Sequence, residues 1–171
     1  IYYQFGQWND ILRISKDFGV MADVVINHGS SDSLWFKNFI KGKGKGSDYF
    51  LNFDEPFDTT KVVRPRTSDL LNPVETSDGI KYTWCTFSKD QVDYNFSNPV
   101  VLFEFVQIII FYLSKGITVF RFDAVAFIWK KIGTSCINLE KTHEIVRLFR
   151  TLLTYLSPKA CLLYTSDAAD D

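Results

Sequence analysis

The sequence lacks most of the features that mark a specialised chain. Its most apolar run, Phe105 to Leu113, lies between Glu104 and Lys115. That is well short of the ~20 apolar residues a membrane-spanning helix needs, so no membrane role is expected. Cysteine is scarce: Cys85, Cys136 and Cys161, an odd and widely spaced set. This speaks against a disulfide framework and for reduced thiols in an intracellular, cytoplasmic setting. Neither CxxC nor HExxH occurs, which argues against a zinc site. The formal net charge is only −1; without a basic balance, nucleic acid and anionic membrane surfaces are not expected partners. No leader segment is read, since the chain starts at Ile1 inside what reads as ongoing sequence. Glycine clusters only in KGKGKGS, residues 41–47. That stretch lacks phosphate-loop spacing and follows a helical pattern where a strand would be required, so it reads as a flexible loop. No glycine-rich strand-to-helix turn exists, which counts against a nucleotide-binding doubly wound domain.

What the chain does have is a globular composition. Its 171 residues are 46% hydrophobic and 16% aromatic, enough for one domain with a real core. Sixteen Phe and eight Tyr suit either an aromatic core or a sugar-stacking surface, and composition does not choose between them.

Two apolar runs bounded by breakers read as buried strands: Val20 to Ile26, and the stretch after Gly116, ITVFRFD. The first contains Asp23 and ends in Asn27-His28-Gly29. The second carries Arg121 and Asp123, which a strand places on one face. A buried charge is costly unless it is paired or functional. Such a pair therefore reads either as a tie between elements or as chemistry at the carboxyl end of a strand, where parallel α/β folds build their sites. Helices are expected over Asp10 to Phe18, from a cap at Asp32 through Ile40, from Asn98-Pro99 to about Ser114, and over Glu140 to Tyr155. In the third of these, Leu102, Phe103, Val106 and Ile109 or Ile110 are expected to face inward. Between Asp48 and Pro99 no long periodic element occurs, only short aromatic pieces and turn signals, as in an irregular, partly β insertion. Strands alternating with helices predict a parallel α/β unit. Two strands cannot close a sheet, so more are expected on both sides.

The motifs then carry a resemblance. DVVINH (Asp23 to His28), FRFDAV (Phe120 to Val125) and QVDYN (Gln91 to Asn95) resemble three ordered regions of the α-amylase superfamily of glycoside hydrolases, family 13. VVRPRTS (Val62 to Ser68), WCTFSKDQVDYN (Trp84 to Asn95) and the stretch Ala126 to Arg150 with its GTSC segment are similar to the sucrose-phosphorylase subfamily. The resemblance covers about Gly6 to Lys159. It implies a fold: part of a (β/α)8 barrel around strands three and four, with a small α+β domain inserted after strand three. The expected division is residues 1–28 as barrel, 29–97 as insertion, 98–159 as barrel, and 160–171 as a tail outside the fold. That tail, CLLYTSDAADD from Cys161, resembles a translated sequencing adapter.

The resemblance also implies roles. Asp123 is the expected nucleophile of a retaining mechanism, which needs a second carboxyl about 5–5.5 Å away as acid/base. Arg121 on the same face is expected to hold Asp123 ionised by charge and hydrogen bond. Asp23 is expected to pair with Arg121, and His28 to donate a hydrogen bond to the glucosyl ring. Phe87 and Gln91 match positions on the acceptor side, where a ring face stacks on sugar and an amide orients hydroxyls. Arg64 and Arg66 suit phosphate or a sugar phosphate, or form a solvated pair. Trp35, Trp84 and Trp129 read as packing, and His143 as a helix-surface residue. Many relatives hold a structural calcium with the residue matching Asn27; the phosphorylase-like branch does without it, so neither metal nor cofactor is expected.

The function so implied is glucosyl transfer from sucrose, or a related small α-glucoside, to inorganic phosphate as co-substrate. Glucosylglycerate or sucrose 6′-phosphate phosphorolysis, a plain α-glucosidase or amylase-type hydrolase, and a non-catalytic sugar-binding relative remain alternatives. The acid/base Glu and a further stabilising Asp have no counterpart after Arg150. The 171-residue chain alone is therefore expected to be inactive and poorly soluble.

Overall fold

A computed structural model describes residues 6–164. In chain order the elements are α1 (Trp8–Ile14), β1 (Val20–Val25), β2 (His28–Ser30), α2 (Leu34–Ile40), β3 (Asn52–Phe53), β4 (Leu71–Thr76) and β5 (Gly79–Trp84). There follow β6 (Gln91–Asp93), α3 (Pro99–Ser114), β7 (Ile117–Asp123), a 3₁₀ turn (Val125–Phe127), α4 (Glu140–Leu156) and β8 (Cys161–Tyr164). The alternation expected from the sequence is present. Asn98 caps α3 by accepting from the Val100 amide, with Pro99 at the first position, where its missing N–H costs nothing. The second helix is capped by Ser33, which accepts from the Phe36 amide, and not by Asp32 as expected.

The central sheet is parallel, in the order β1-β7-β8. Asp23 lies opposite Arg121, and Arg121 opposite Leu163. The third strand corrects the sequence reading, which left everything from residue 160 outside the fold. Cys161–Tyr164 is an apolar run directly after a turn closed by the Ala160 amide on Ser157 O, and it pairs with β7. The rest of the adapter-like tail, with Asp167, Asp170 and Asp171, lies outside the described residues.

One face of this sheet packs and the other does not. Val24, Phe120 and Phe122 are buried beneath the helices; Phe122 meets the buried Phe149 of α4 edge-on at 5.2 Å. On the opposite face Met21, Asp23 and Val25 of β1, Arg121 and Asp123 of β7, and Leu163 of β8 are all exposed. The expected buried strands are thus buried on one face only. The alternation is that of a sheet covered on one side.

In α3 the buried residues are Val101, Phe105 and Ile109, spaced by four. Phe103, expected inside, is 65% exposed. The helix is apolar on every side, so periodicity could not select its inner stripe. Gly116 ends it with φ 80, and a Cβ there would fall 1.9 Å from Ser15 Oγ; only glycine lets the chain turn into β7 so close to α1.

Between β1 and α3 the chain forms two small β units. The antiparallel sheet β3-β5-β4 encloses a small core of Leu70, Trp84 and Cys136. The GTSC segment is built into it: Cys136 is buried, and Ser135 O accepts from the Val63 amide. The ribbon β2–β6 sets His28 opposite Asp93. The KGKGKGS stretch is a loop of turns, as expected, tied down at Lys45. Asn38 donates to Lys45 O, and Lys45 reaches Glu104 at 2.7 Å.

Candidate active site

Two strand ends and one ribbon build the site. β7 delivers Asp123 at its last position, exposed. Ala124 follows with φ 55, a left-handed conformation that disfavours a residue with a Cβ. The chain thereby turns sharply away into the 3₁₀ turn. β1 runs into Ile26, Asn27 and His28, all buried.

Arg121 does not hydrogen-bond Asp123 as expected. Its guanidinium grips Asp23 two-pronged, Nε to Oδ1 at 2.5 Å and a terminal nitrogen to Oδ2 at 2.9 Å. The register explains this: Asp23 is the direct cross-strand partner of Arg121, whereas Asp123 sits two residues along the same strand. The expected Asp23–Arg121 pair is thus present. Asp123 acts on Arg121 only through its charge, a smaller contribution than that of Asp23.

His28, expected on the donor side, meets Gln91 and Phe87, expected on the acceptor side. His28 Nε2 lies 2.9 Å from Gln91 Nε2, and the His28 and Phe87 rings are 5.1 Å apart. Phe127, not singled out from the sequence, backs Phe87 edge-on at 5.5 Å. Burial pulls the His28 imidazole below its ordinary pKa, opposed by the Asp93, Asp123 and Asp90 carboxylates and reinforced by the Lys130 ammonium.

Behind His28 is a buried polar cluster that sequence reasoning missed. Lys130 Nζ lies 2.8 Å from Asp93 Oδ2, with side-chain exposures of 4% and 0%, and donates to Asn27 Oδ1 at 2.7 Å. Asn27 Nδ2 donates to Asp93 Oδ2 at 3.0 Å. Thr86 adds its amide and its hydroxyl to the same carboxylate. Burial pulls the Lys130 ammonium below its ordinary pKa, against the charge and hydrogen bond of Asp93. Asp93 was quoted only as the centre of QVDYN, and Lys130 lay in a connection read as a loop. The place beside Asn27 where a calcium ion would be sought is filled by an ammonium, so these residues do not fit a metal.

Arg64 lies part-buried. Its Nε has no partner among the described residues, and one terminal nitrogen is 3.4 Å from Ser68 Oγ. Ser68 in turn donates to Phe87 O, which ties Arg64 to the aromatic wall. Arg66 is exposed and is not brought into the cluster. Cys85 is no candidate nucleophile: burial pushes its thiol up to about 12. Trp84 is packing, as expected, at 1% exposure, and His143 is exposed on α4.

Comparison with known proteins gives this arrangement a family. The alpha amylase catalytic domain matches residues 1–161. A glucosylglycerate phosphorylase of Spirochaeta thermophila is 43% identical over 155 residues, covering 91% of this chain and 26% of that protein. One from Escherichia coli is 40% identical over 159 residues, covering 92% of this chain and 28% of that protein. The crystal structure of sucrose 6F-phosphate phosphorylase from Thermoanaerobacter thermosaccharolyticum superposes with a TM-score of 0.84 at 26% identity, covering 96% of this chain and 36% of that one. The chain thus spans well under half the length of these relatives. It belongs to the α-amylase catalytic-domain family, and its relatives include glucoside phosphorylases.

Proposed function

We propose that these residues are the nucleophile-bearing part of a retaining glucoside phosphorylase, one that moves a glucosyl unit from a small glucoside to inorganic phosphate. The observation that carries this is the placement of Asp123. It is exposed at the carboxyl end of β7, with its charge felt by both His28 and Arg121. In this reading the Asp123 carboxylate attacks the anomeric carbon as the bond to the leaving oxygen breaks, forming a glucosyl-aspartate. A phosphate oxygen then displaces the aspartate, giving glucose 1-phosphate with retention. The leaving oxygen needs a proton from an acid that none of the assigned residues supplies.

Arg121 is held on Asp23, so its guanidinium is a fixed positive charge near the reacting carboxylate and not a hydrogen-bond partner to it. The His28–Phe87 wall contributes one ring face and one imidazole toward sugar. The three β strands of the central sheet would form part of a (β/α)8 barrel, their exposed face turned toward its interior.

The donor reading moves from sucrose toward glucosylglycerate, the substrate named for the relatives at 40–43% identity. Arg64, with its unpartnered Nε, and Arg66 suit an anion on the acceptor side: phosphate or a glycerate carboxylate. The test is product analysis on the complete enzyme that contains these residues, offered glucosylglycerate or sucrose with and without phosphate. Glucose 1-phosphate formed only with phosphate, faster from glucosylglycerate and abolished by Asp123→Asn, is the expected result. Free glucose released at the same rate without phosphate would replace this reading with a hydrolase.

A further inference from the structure

We propose that the buried Lys130–Asp93 pair positions His28: together they fix the orientation of the Asn27 amide, which holds the imidazole as the tautomer protonated on Nε2. Lys130 Nζ can only donate, so the end of the Asn27 amide 2.7 Å from it must be oxygen. The Asp93 carboxylate can only accept, so the end 3.0 Å from it must be nitrogen. The amide is therefore locked from both sides. Its nitrogen also faces His28 Nδ1, at 3.4 Å. That ring nitrogen must accept, which leaves the single proton of a neutral imidazole on Nε2.

The consequence reaches Gln91. His28 Nε2 is 2.9 Å from the Gln91 amide nitrogen, which would set two donors against each other. Turning the Gln91 amide by half a rotation puts its oxygen there, a change that alters no heavy-atom shape. The same rotation removes a second conflict. Ser88 has one hydroxyl proton but faces two acceptors, Asp90 Oδ1 at 2.7 Å and Gln91 Oε1 at 2.6 Å. With the amide turned, Ser88 donates to Asp90 and accepts from Gln91. Each of these contacts from Lys130 to Asp90 then pairs a donor with an acceptor. Burial of the imidazole favours its neutral form, the form this pairing needs.

For function, and resting on the glycosyl-transfer reading above, the Gln91 amide oxygen then holds the place of a sugar hydroxyl oxygen. A substrate that displaces it meets an N–H already aimed outward, with no change of tautomer. Lys130, Asp93 and Asn27 are positioning residues and touch no reacting atom.

The test is long-range proton–nitrogen NMR on the complete enzyme that contains these residues, labelled with ¹⁵N-histidine, with the His28 signals assigned by their loss in His28→Gln. The expected His28 pattern is that of the Nε2–H tautomer; an Nδ1–H or an averaged pattern overturns the proposal. Asn27→Asp offers only acceptors beside Nδ1 and is expected to move the proton to Nδ1. Retention on Nε2 in that variant rules out the relay. Lys130→Met is expected to give an averaged pattern, and an unchanged one in a folded chain removes Lys130 from the relay. Should Lys130→Met not fold, the parent and Asn27→Asp spectra still decide. No sugar is present in the experiment, so failure of the phosphorylase reading would leave its outcome standing.

Discussion

Two ion pairs, some residues apart in sequence from one another on both partners, divide the molecule. Arg121–Asp23 sits on the open face of the parallel sheet, each side chain half exposed. Lys130–Asp93 sits behind His28, with both side chains essentially out of water. The open pair is the better shaped, a planar fork on a carboxylate. The enclosed pair is the more consequential, because its carboxylate also serves Asn27 and Thr86. Exposure, more than geometry, decides what a pair contributes to folding. Solvent screens the first and lets either partner survive alone. The second stands only while every member is satisfied.

The largest effect is therefore expected from breaking the enclosed pair. Asp93→Ala leaves the Lys130 ammonium buried without a counter-charge and removes acceptors from Thr86 and Asn27. The loss of stability should be about 3–5 kcal/mol, the range for removing one partner of a buried pair. Urea unfolding of the variant beside the parent checks this. Unchanged stability would mean that water reaches Lys130 and that the two pairs are alike.

A far smaller effect is expected from Arg121→Gln, which releases Asp23 into solvent. The urea midpoint should move by much less than for Asp93→Ala, while glucosyl transfer by the complete enzyme falls steeply, since the fixed charge near Asp123 is lost. Measuring both on one variant separates a pair that holds the fold from a pair that serves the site. A large midpoint shift with activity kept would reverse the comparison.

The open pair was legible in the sequence and the enclosed one was not. Arg121 and Asp123 stood out because charge in a run of strand-formers is conspicuous, and FRFDAV gave them a setting. What i, i+2 spacing could not show was which carboxylate the guanidinium takes. That depends on cross-strand register, a long-range fact. Asp23 was found through the motif and not through its own spacing. Lys130 and Asp93 are distant in sequence, and Lys130 lies in a connection with no periodicity, so nothing local announces that its ammonium is buried. The helix α3 was readable from its cap and closing breaker and α4 from its helical spacing, but the inner stripe of α3 was not, because the helix is apolar all round. The strand Cys161–Tyr164 was set outside the fold because the whole tail from Cys161 on resembles a translated sequencing adapter.

His28 lies between the two regions, and its titration sharpens the contrast most delicately. Burial, the leading cause, sets its folded pKa below the ordinary imidazole value of 6.5. Between the folded pKa and 6.5 the unfolded chain binds more protons than the folded one. Stability must then rise with pH across that window, and fall as the solution is acidified through it. His28→Gln should flatten this part of the profile while leaving the region above pH 7 nearly unchanged. Urea unfolding at closely spaced pH values from 5 to 7.5 reads the difference. An opposite slope, with stability gained on acidification, would place the carboxylates of Asp93, Asp123 and Asp90 in control of the imidazole, and the pocket behind it would then be wet and not closed.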